Sequence, residues 1–240
     1  LLDSPQDFVA SAFQAQVKDL EFFLLQEGKF FVALFENVGR RGKRHGALQR
    51  KTPFTLIDAL LATGASDLTL IKNEANEDHM GLSKLIEAGR CKKIITSHLG
   101  LNATVIGFMN RGEIEVDFYP QGILAEKIRA GGAGLFGFLT DIGIDTILSE
   151  KKQTMTIDGR KVIVEPALRA HVALIHAAVA DRSGNLVYEK SARNFNPLMA
   201  TAAVTVIAEV EQGLPLPSVT EINLRRIDPG PQQSSGCMAP

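Results

Sequence analysis

The sequence predicts an α/β fold: an open, largely parallel sheet flanked by helices, with an added β-hairpin region. Three observations predict it. Short apolar runs such as DLTLIKN and CKKIITS alternate with helical patterns, which is the rhythm of strand–helix–strand units. One segment, QTMTIDGRKVIVEP, sets two β-rich runs around Asp158-Gly159, the signature of a type I′ hairpin turn. The chain has 240 residues, 45% hydrophobic and 22% charged, enough for a sizeable core in an ordinary globular protein.

The elements follow in order. DFVASAFQAQVKDLEFFLL has apolar residues near helical spacing, with Ser4 or Asp7 as candidate caps. GKFFVALFEN reads as a strand entering a loop. RRGKRHGALQRK, residues 40–51, then carries seven basic residues, counting His45, and no acid. TPFTLIDALLATG is a helix, with Thr52 as expected N-cap, Pro53 at the first helical position and Gly64 as the stop. DLTLIKN is a buried strand, GLSKLIEAG a short helix ended by Gly89, and CKKIITSHLG another strand. GEIEVDFYP is a strand, and GILAEKIRAG a helix expected to feed a glycine loop, RAGGAGLFGFLT. After the hairpin come a buried strand, HVALIHAAVAD, and a helix-then-strand pattern, LMATAAVTVIAEVE. Periodicity is lost after Gly213. One domain is therefore expected over 1–213, with an irregular or disordered tail over 214–240.

Composition excludes several classes. Net charge is −1, so no global field points to nucleic acid or a membrane. The basic run lacks the interleaved aromatics of a nucleic-acid surface. No apolar run approaches the ~18–20 residues of a bilayer span, and LLDSPQD has no basic region leading into an apolar one. The two cysteines, Cys91 and Cys237, are read as reduced thiols. A cytoplasmic protein is the expectation.

Several residues could carry chemistry. The glycines of RAGGAGLFGFLT either form an anion-binding concavity of backbone N–H groups, or admit a flat ligand, or allow tight helix–strand packing. In SARNFNP, Asn194 and Asn196 would point the same way if extended; their amides can brace a loop or read a carboxylate. His98 stands at a strand end, where open α/β sheets place active sites, but no partner is visible by spacing. His171 and His176 are five apart and would face opposite sides of a strand. Glu36, in FENVG, is a possible carboxylate nucleophile at a strand-to-loop position.

The order of the pieces is more specific than any one. TPFTLIDALLATGASDLTLI, then QGILAEKIRAGGAGLFGFLT, then the stretch from TILSEKKQTMTIDG through SARNFNPLMATAA resembles the α subunit of family I coenzyme A transferases, acetate/acetoacetate type. The resemblance spans about residues 52–212, with RAGGAG and ARNFNP its most specific parts. It implies transfer of CoA between a short-chain acyl-CoA and a free carboxylate. It implies a glutamate nucleophile in a Ser-Glu-Asn-Gly context, which this sequence lacks, so that residue belongs to a β subunit. It implies no metal or prosthetic group; coenzyme A is a substrate. It implies a hetero-oligomer, α2β2 or larger. On this resemblance, Gly46, Lys51, Gly131, Gly132, Ala133 and Gly134 are expected at the CoA and substrate site, and Asn73, Asn194 and Asn196 are expected to brace it.

The family's glycine-rich CoA loop precedes its "TP" helix, and here the basic run stands in that place. That run either binds CoA phosphates through lysine and arginine, or is a solvated loop in a chain that has lost CoA binding, or belongs with the tail to an anomalous stretch of sequence. The alternative function is a non-catalytic assembly or small-acid binding module of the same fold.

Overall fold

The computed structural model describes residues 31–34, 52–100, 102–181, 183–189 and 193–214, with the backbone alone at 31–34 and 212–214. The expected N-terminal helix, the basic run through Lys51 and the expected tail beyond Leu214 lie outside these residues.

Six strands make the main sheet: β1 (Phe31–Leu34), β2 (Leu68–Ile71), β3 (Cys91–Thr96), β4 (Glu115–Phe118), β8 (Ala170–Asp181) and β10 (Ala203–Leu214). Their order is β10-β8-β1-β2-β3-β4, and every pair on this path is parallel. Short β9 (Leu186–Val187) folds back antiparallel on β8. The helices are α1 (Phe54–Ala62), α2 (Leu82–Glu87), α3 (Ala103–Asn110), α4 (Gln121–Gly132) and α5 (Asn196–Thr201). None of the described helices is long and apolar enough to cross a membrane.

The two faces of the sheet build two cores. Leu68, Leu70, Ile94, Val172, Leu174 and Ile207 pack under α1, α2 and α3. Ile71, Ile95, Ala173, Ile175 and Ala177 face α4 and α5 on the other side. Successive strand residues alternate between these faces, and with helices on both, the strands read as unbroken apolar runs.

Helix ends follow local chemistry, with one correction. Gly64 (φ 75°) and Gly89 (φ 66°) end α1 and α2 in the left-handed region, as expected. Thr52 does not cap α1: the N-cap is Pro53, which has no side chain able to accept. The first-turn N–H groups of Thr55 and Leu56 instead donate to Glu209 Oε2 on β10, at 2.9 and 3.1 Å. Helix α3 gives little signal in the sequence, because its Thr, Val, Ile and Gly are weak helix formers. It forms with Asn102 as N-cap, whose Oδ1 accepts from Val105 N–H at 2.7 Å.

A second sheet holds β5 (Gly137–Thr140), β6 (Thr154–Ile157) and β7 (Arg160–Pro166), antiparallel in the order β5-β7-β6. Strands β6 and β7 are the expected hairpin. Asp158 (φ 48°) and Gly159 (φ 74°) both have the positive φ that a type I′ turn requires.

Candidate active-site edge

Because the main strands are parallel, their C-terminal ends share one edge. From β1 the chain lays β2, β3 and β4 on one side, then β8 and β10 on the other. The order reverses beside β1, and such a switch point is where open α/β sheets place ligands. Asn73 lies two residues past Ile71, the last partner of β1 on one side; His176 lies two past Leu174, its last partner on the other. By strand spacing they sit roughly 10 Å apart.

Asn73 is fully buried. Its carbonyl accepts from Ser97 N–H at 3.1 Å and Thr96 Oγ1–H at 2.9 Å, so β2 and β3 stay joined beyond their last ladder pair. Its Oδ1 accepts from Ser97 Oγ–H at 2.7 Å. Its Nδ2 is buried and has no hydrogen-bond partner. Ser97 Oγ also lies 3.0 Å from His98 Nδ1, and His98 Nε2 lies 3.1 Å from Glu74 Oε2.

Across β1, the His176 N–H donates to Asn196 Oδ1 at 3.3 Å, which ties α5 to β8. The His176 ring is buried, its Nδ1 has no partner and its Nε2 stands 3.8 Å from Glu211 Oε1. Burial holds its pKa below the ordinary value, against the pull of Glu211. The pKa of Glu209, in register with His176, is raised by burial, although the helix N–H groups it accepts act the other way.

Four buried side-chain polar atoms among the described residues find no partner: Thr52 Oγ1, Asn73 Nδ2, His176 Nδ1 and Arg90 Nε. Three of the four lie toward this end of the sheet, though not on one face: Asn73 is in phase with Ile71 on the side of α4 and α5, whereas His176 is in phase with Leu174 on the side of α1. Thr52 is there because the head of α1 sits on Glu209; Arg90 leads into β3 at the opposite edge. An unmet buried donor costs about 1–3 kcal/mol, so each of these atoms calls for an explanation.

A second charged group lies where β4 leaves the sheet. Lys127 Nζ donates to Glu165 Oε2 at 3.1 Å and to the Pro166 carbonyl at 2.7 Å. Lys152 pairs with the other oxygen of Glu165. Both ammonium groups stand over the Tyr119 ring, 4.7 and 5.1 Å from its centroid. Burial pushes the Lys127 pKa down, and Glu165 pulls it back up.

The other expected site residues fall as follows. Gly46 and Lys51 lie outside the described residues, as does Glu36. Gly131 and Gly132 are not in a loop: they form the last turn of α4, Ala133 is its C-cap, and Gly134 (φ 76°) follows in the left-handed region. A helix C-terminus offers carbonyls rather than N–H groups, so of the three readings of the cluster an anion cradle is not formed at Gly131 and Gly132, and tight packing is. The close approach at these glycines is internal. A Cβ on Gly131 would stand 2.1 Å from the Leu168 carbonyl oxygen, and one on Gly132 would stand 2.2 Å from Thr201 Oγ1. Gly134 is open, with nothing within 4 Å. Asn194 and Asn196 are not extended together: Asn194 is exposed in a turn, whereas Asn196 starts α5 and is buried.

The model of the Coenzyme A transferase family matches residues 46–222. The chain belongs to this family. A probable coenzyme A transferase subunit alpha from Bacillus subtilis (strain 168) is 48% identical over 171 residues, 71% of this chain and 75% of that protein. The acetate CoA-transferase subunit alpha of Escherichia coli (strain K12) is 48% identical over 161 residues, 67% and 73% of the two chains. Among solved structures, a cysteine-to-serine variant of the decarboxylase AibA/AibB superposes with a TM-score of 0.64 at 26% identity, covering 84% of this chain and 76% of that one. Family membership gives the partnerless polar atoms a chemical setting, since CoA transfer exchanges a carboxylate for a thioester and both present oxygen acceptors. Sequence reasoning missed Ser97, Glu74 and the orphaned ring of His176. Their partners are close in space but come from different strands, and no spacing rule joins them.

Proposed function

We propose that this chain is the α subunit of a CoA-transferase that moves CoA between a short-chain acyl-CoA and a free carboxylate of the acetate/acetoacetate type. A β subunit supplies the glutamate nucleophile. The observation that carries the reading is Asn73 Nδ2, a buried donor without a partner at the switch point, in a family whose reaction presents oxygen acceptors. Asn73 Nδ2 is the strongest donor there, because its oxygen is already held by Ser97. It donates to a carboxylate or thioester oxygen of the acyl group. Asn196 braces the same edge from α5. The CoA arm runs toward Gly46 and Lys51, the latter one peptide bond from Thr52 at the head of α1; Gly134 is open but follows the far end of α4, beside the starts of β8 and β10.

A partner is also favoured by the surface. Leu135, Phe136, Leu139, Ile142, Ile147, Met155 and Ile157 are seven of the nine exposed large hydrophobic residues among those described, with Phe136 97% and Ile147 79% exposed. They fall within one stretch on and around the small sheet, and an apolar patch of this kind seats another protein. We assign it to the β subunit, in an assembly of α2β2 or larger.

The test is acetoacetyl-CoA plus acetate turnover, with this chain alone and with its β subunit. Turnover in the mixture alone is expected. A stable complex without turnover would overturn the reading and leave a non-catalytic binding module.

A further inference from the structure

We propose that Ser97, His98 and Glu74 are positioning residues that aim the Asn73 amide at the acyl oxygen of the substrate; this rests on the function proposed above. The hydrogens along one chain of contacts fix its direction. Ser97 has a single hydroxyl hydrogen and three acceptor atoms within reach: Asn73 Oδ1 at 2.7 Å, the Asn73 carbonyl at 2.9 Å and His98 Nδ1 at 3.0 Å. The Asn73 carbonyl is already served by Thr96 Oγ1–H and by backbone N–H groups. Asn73 Oδ1 is the nearest acceptor. When the hydroxyl hydrogen goes there and the His98 ring is an imidazolium paired with Glu74, Nδ1 donates to Ser97 Oγ and Nε2 donates to the Glu74 carboxylate. Every hydrogen on the inner half of the chain points toward Asn73, and the outer end is anchored by a negative charge.

The consequence is a fixed amide. An asparagine held through its oxygen cannot exchange its O and N positions by rotation about χ2 without losing that bond. Its Nδ2 therefore faces one way, and the burial that leaves it without a protein partner keeps water from competing. Preorganised donors of this type stabilise a charged oxygen without reorganising during reaction. Ser97 and His98 directly follow β3, and Glu74 lies three residues past β2 at the start of the connection to α2. Ser97 touches Asn73 and His98, but none of the three is required to touch substrate. Their effect passes through Asn73.

Two measurements on the full chain test this. In the first, the side-chain NH2 signals of Asn73 are observed by NMR on 15N-labelled protein and assigned by their loss in Asn73→Asp. Wild type and Ser97→Thr, which keeps the hydroxyl, are expected to give one sharp, separated pair. Ser97→Ala is expected to broaden or merge it, and Glu74→Gln and His98→Gln to do so less. A pair unchanged in Ser97→Ala overturns the proposal whether or not the protein is active. Titration with acetate addresses the function itself: if acetate leaves the pair unmoved, the assigned donor role fails, not the positioning.

In the second, kcat/KM for acetate is measured on the complex with the β subunit. Ser97→Ala is expected to lower it about 10–100-fold, as a misaimed polar group does. In an Asn73→Ala background, Ser97→Ala is expected to have no further effect, because contacting residues that act as one unit do not add. Additive losses in the double variant would assign Ser97 an unrelated structural role and overturn the proposal.

Discussion

Glu209 shows how one residue can perform a task that local sequence assigns elsewhere. Thr52-Pro53 looks like a helix start, yet the acceptor for the first turn of α1 comes from β10, 153 and 154 residues beyond the two donors. Removing it in Glu209→Ala is expected to cost about 1 kcal/mol, the usual worth of an N-cap, read as a lower urea midpoint. Glu209→Gln, which keeps one acceptor oxygen, should lose less. His176 makes a second prediction at this scale. Its folded-state pKa lies below 6.5 because burial opposes the charge. The unfolded chain therefore takes up the proton at higher pH than the folded one. The stability linked to this group is fully present above about pH 6.5, where both states are neutral, and is lost as pH falls through the folded value. His176→Gln should accordingly lose less Tm between about pH 7 and 5 than wild type does; equal losses would exclude this linkage.

At the scale of the element, the end of α4 is the most constrained place described. Gly131 meets the Leu168 backbone carbonyl, whereas the neighbour of Gly132 is chiefly the Thr201 side chain. Backbone cannot rotate aside, so Gly131→Ala is expected to destabilise by about 1–3 kcal/mol, as overpacking of a dense site does. Equilibrium unfolding in urea measures it, and a neutral result would mean that α4 can slide. The same helix is tied to the small sheet by Lys127, Glu165 and Lys152. Glu165→Gln leaves two cations against Tyr119 without their carboxylate. Breaking a buried ion pair from one side costs about 3–5 kcal/mol, so this variant should show the largest loss of Tm among those named here. The sequence shows a hairpin and a glycine cluster, but not this tie, because its members lie on a helix, a strand and a turn far apart in the chain.

For the whole molecule, the exposed apolar stretch from Leu135 to Ile157 sets the expectation for assembly. Phe136→Asp is expected to weaken association with the β subunit, seen in sedimentation of the mixture, while leaving the Tm of the isolated chain nearly unchanged. A large drop in Tm would instead make Phe136 part of the chain's own core. The parallel sheet is legible at this scale, since apolar runs and helical periods alternate in DLTLIKN, GLSKLIEAG and CKKIITS. So is the turn at Asp158-Gly159, where two residues suffice to set a type I′ geometry. The candidate site is legible only in part. Asn73 and Asn196 both reach the switch-point edge, but Gly131 and Gly132 pack at the opposite edge, against Leu168 and Thr201, and Ser97, Glu74 and His176 give no signal of their role along the chain.

By itself the sequence determined what depends on neighbours along the chain: strands, most helices, the hairpin turn and the family pattern of RAGGAG and ARNFNP. These are set by periodicity and by backbone preferences that act over a few residues. Only the tertiary structure decided which polar groups are satisfied. Glu209 reaches Thr55, Ser97 reaches Asn73, and Thr201 fills the space beside Gly132 because parallel strands and their crossovers bring distant residues together at the two edges of the sheet. Hydrogen bonding and close packing act through space at roughly 3–4 Å, so neither can be read from spacing along the chain.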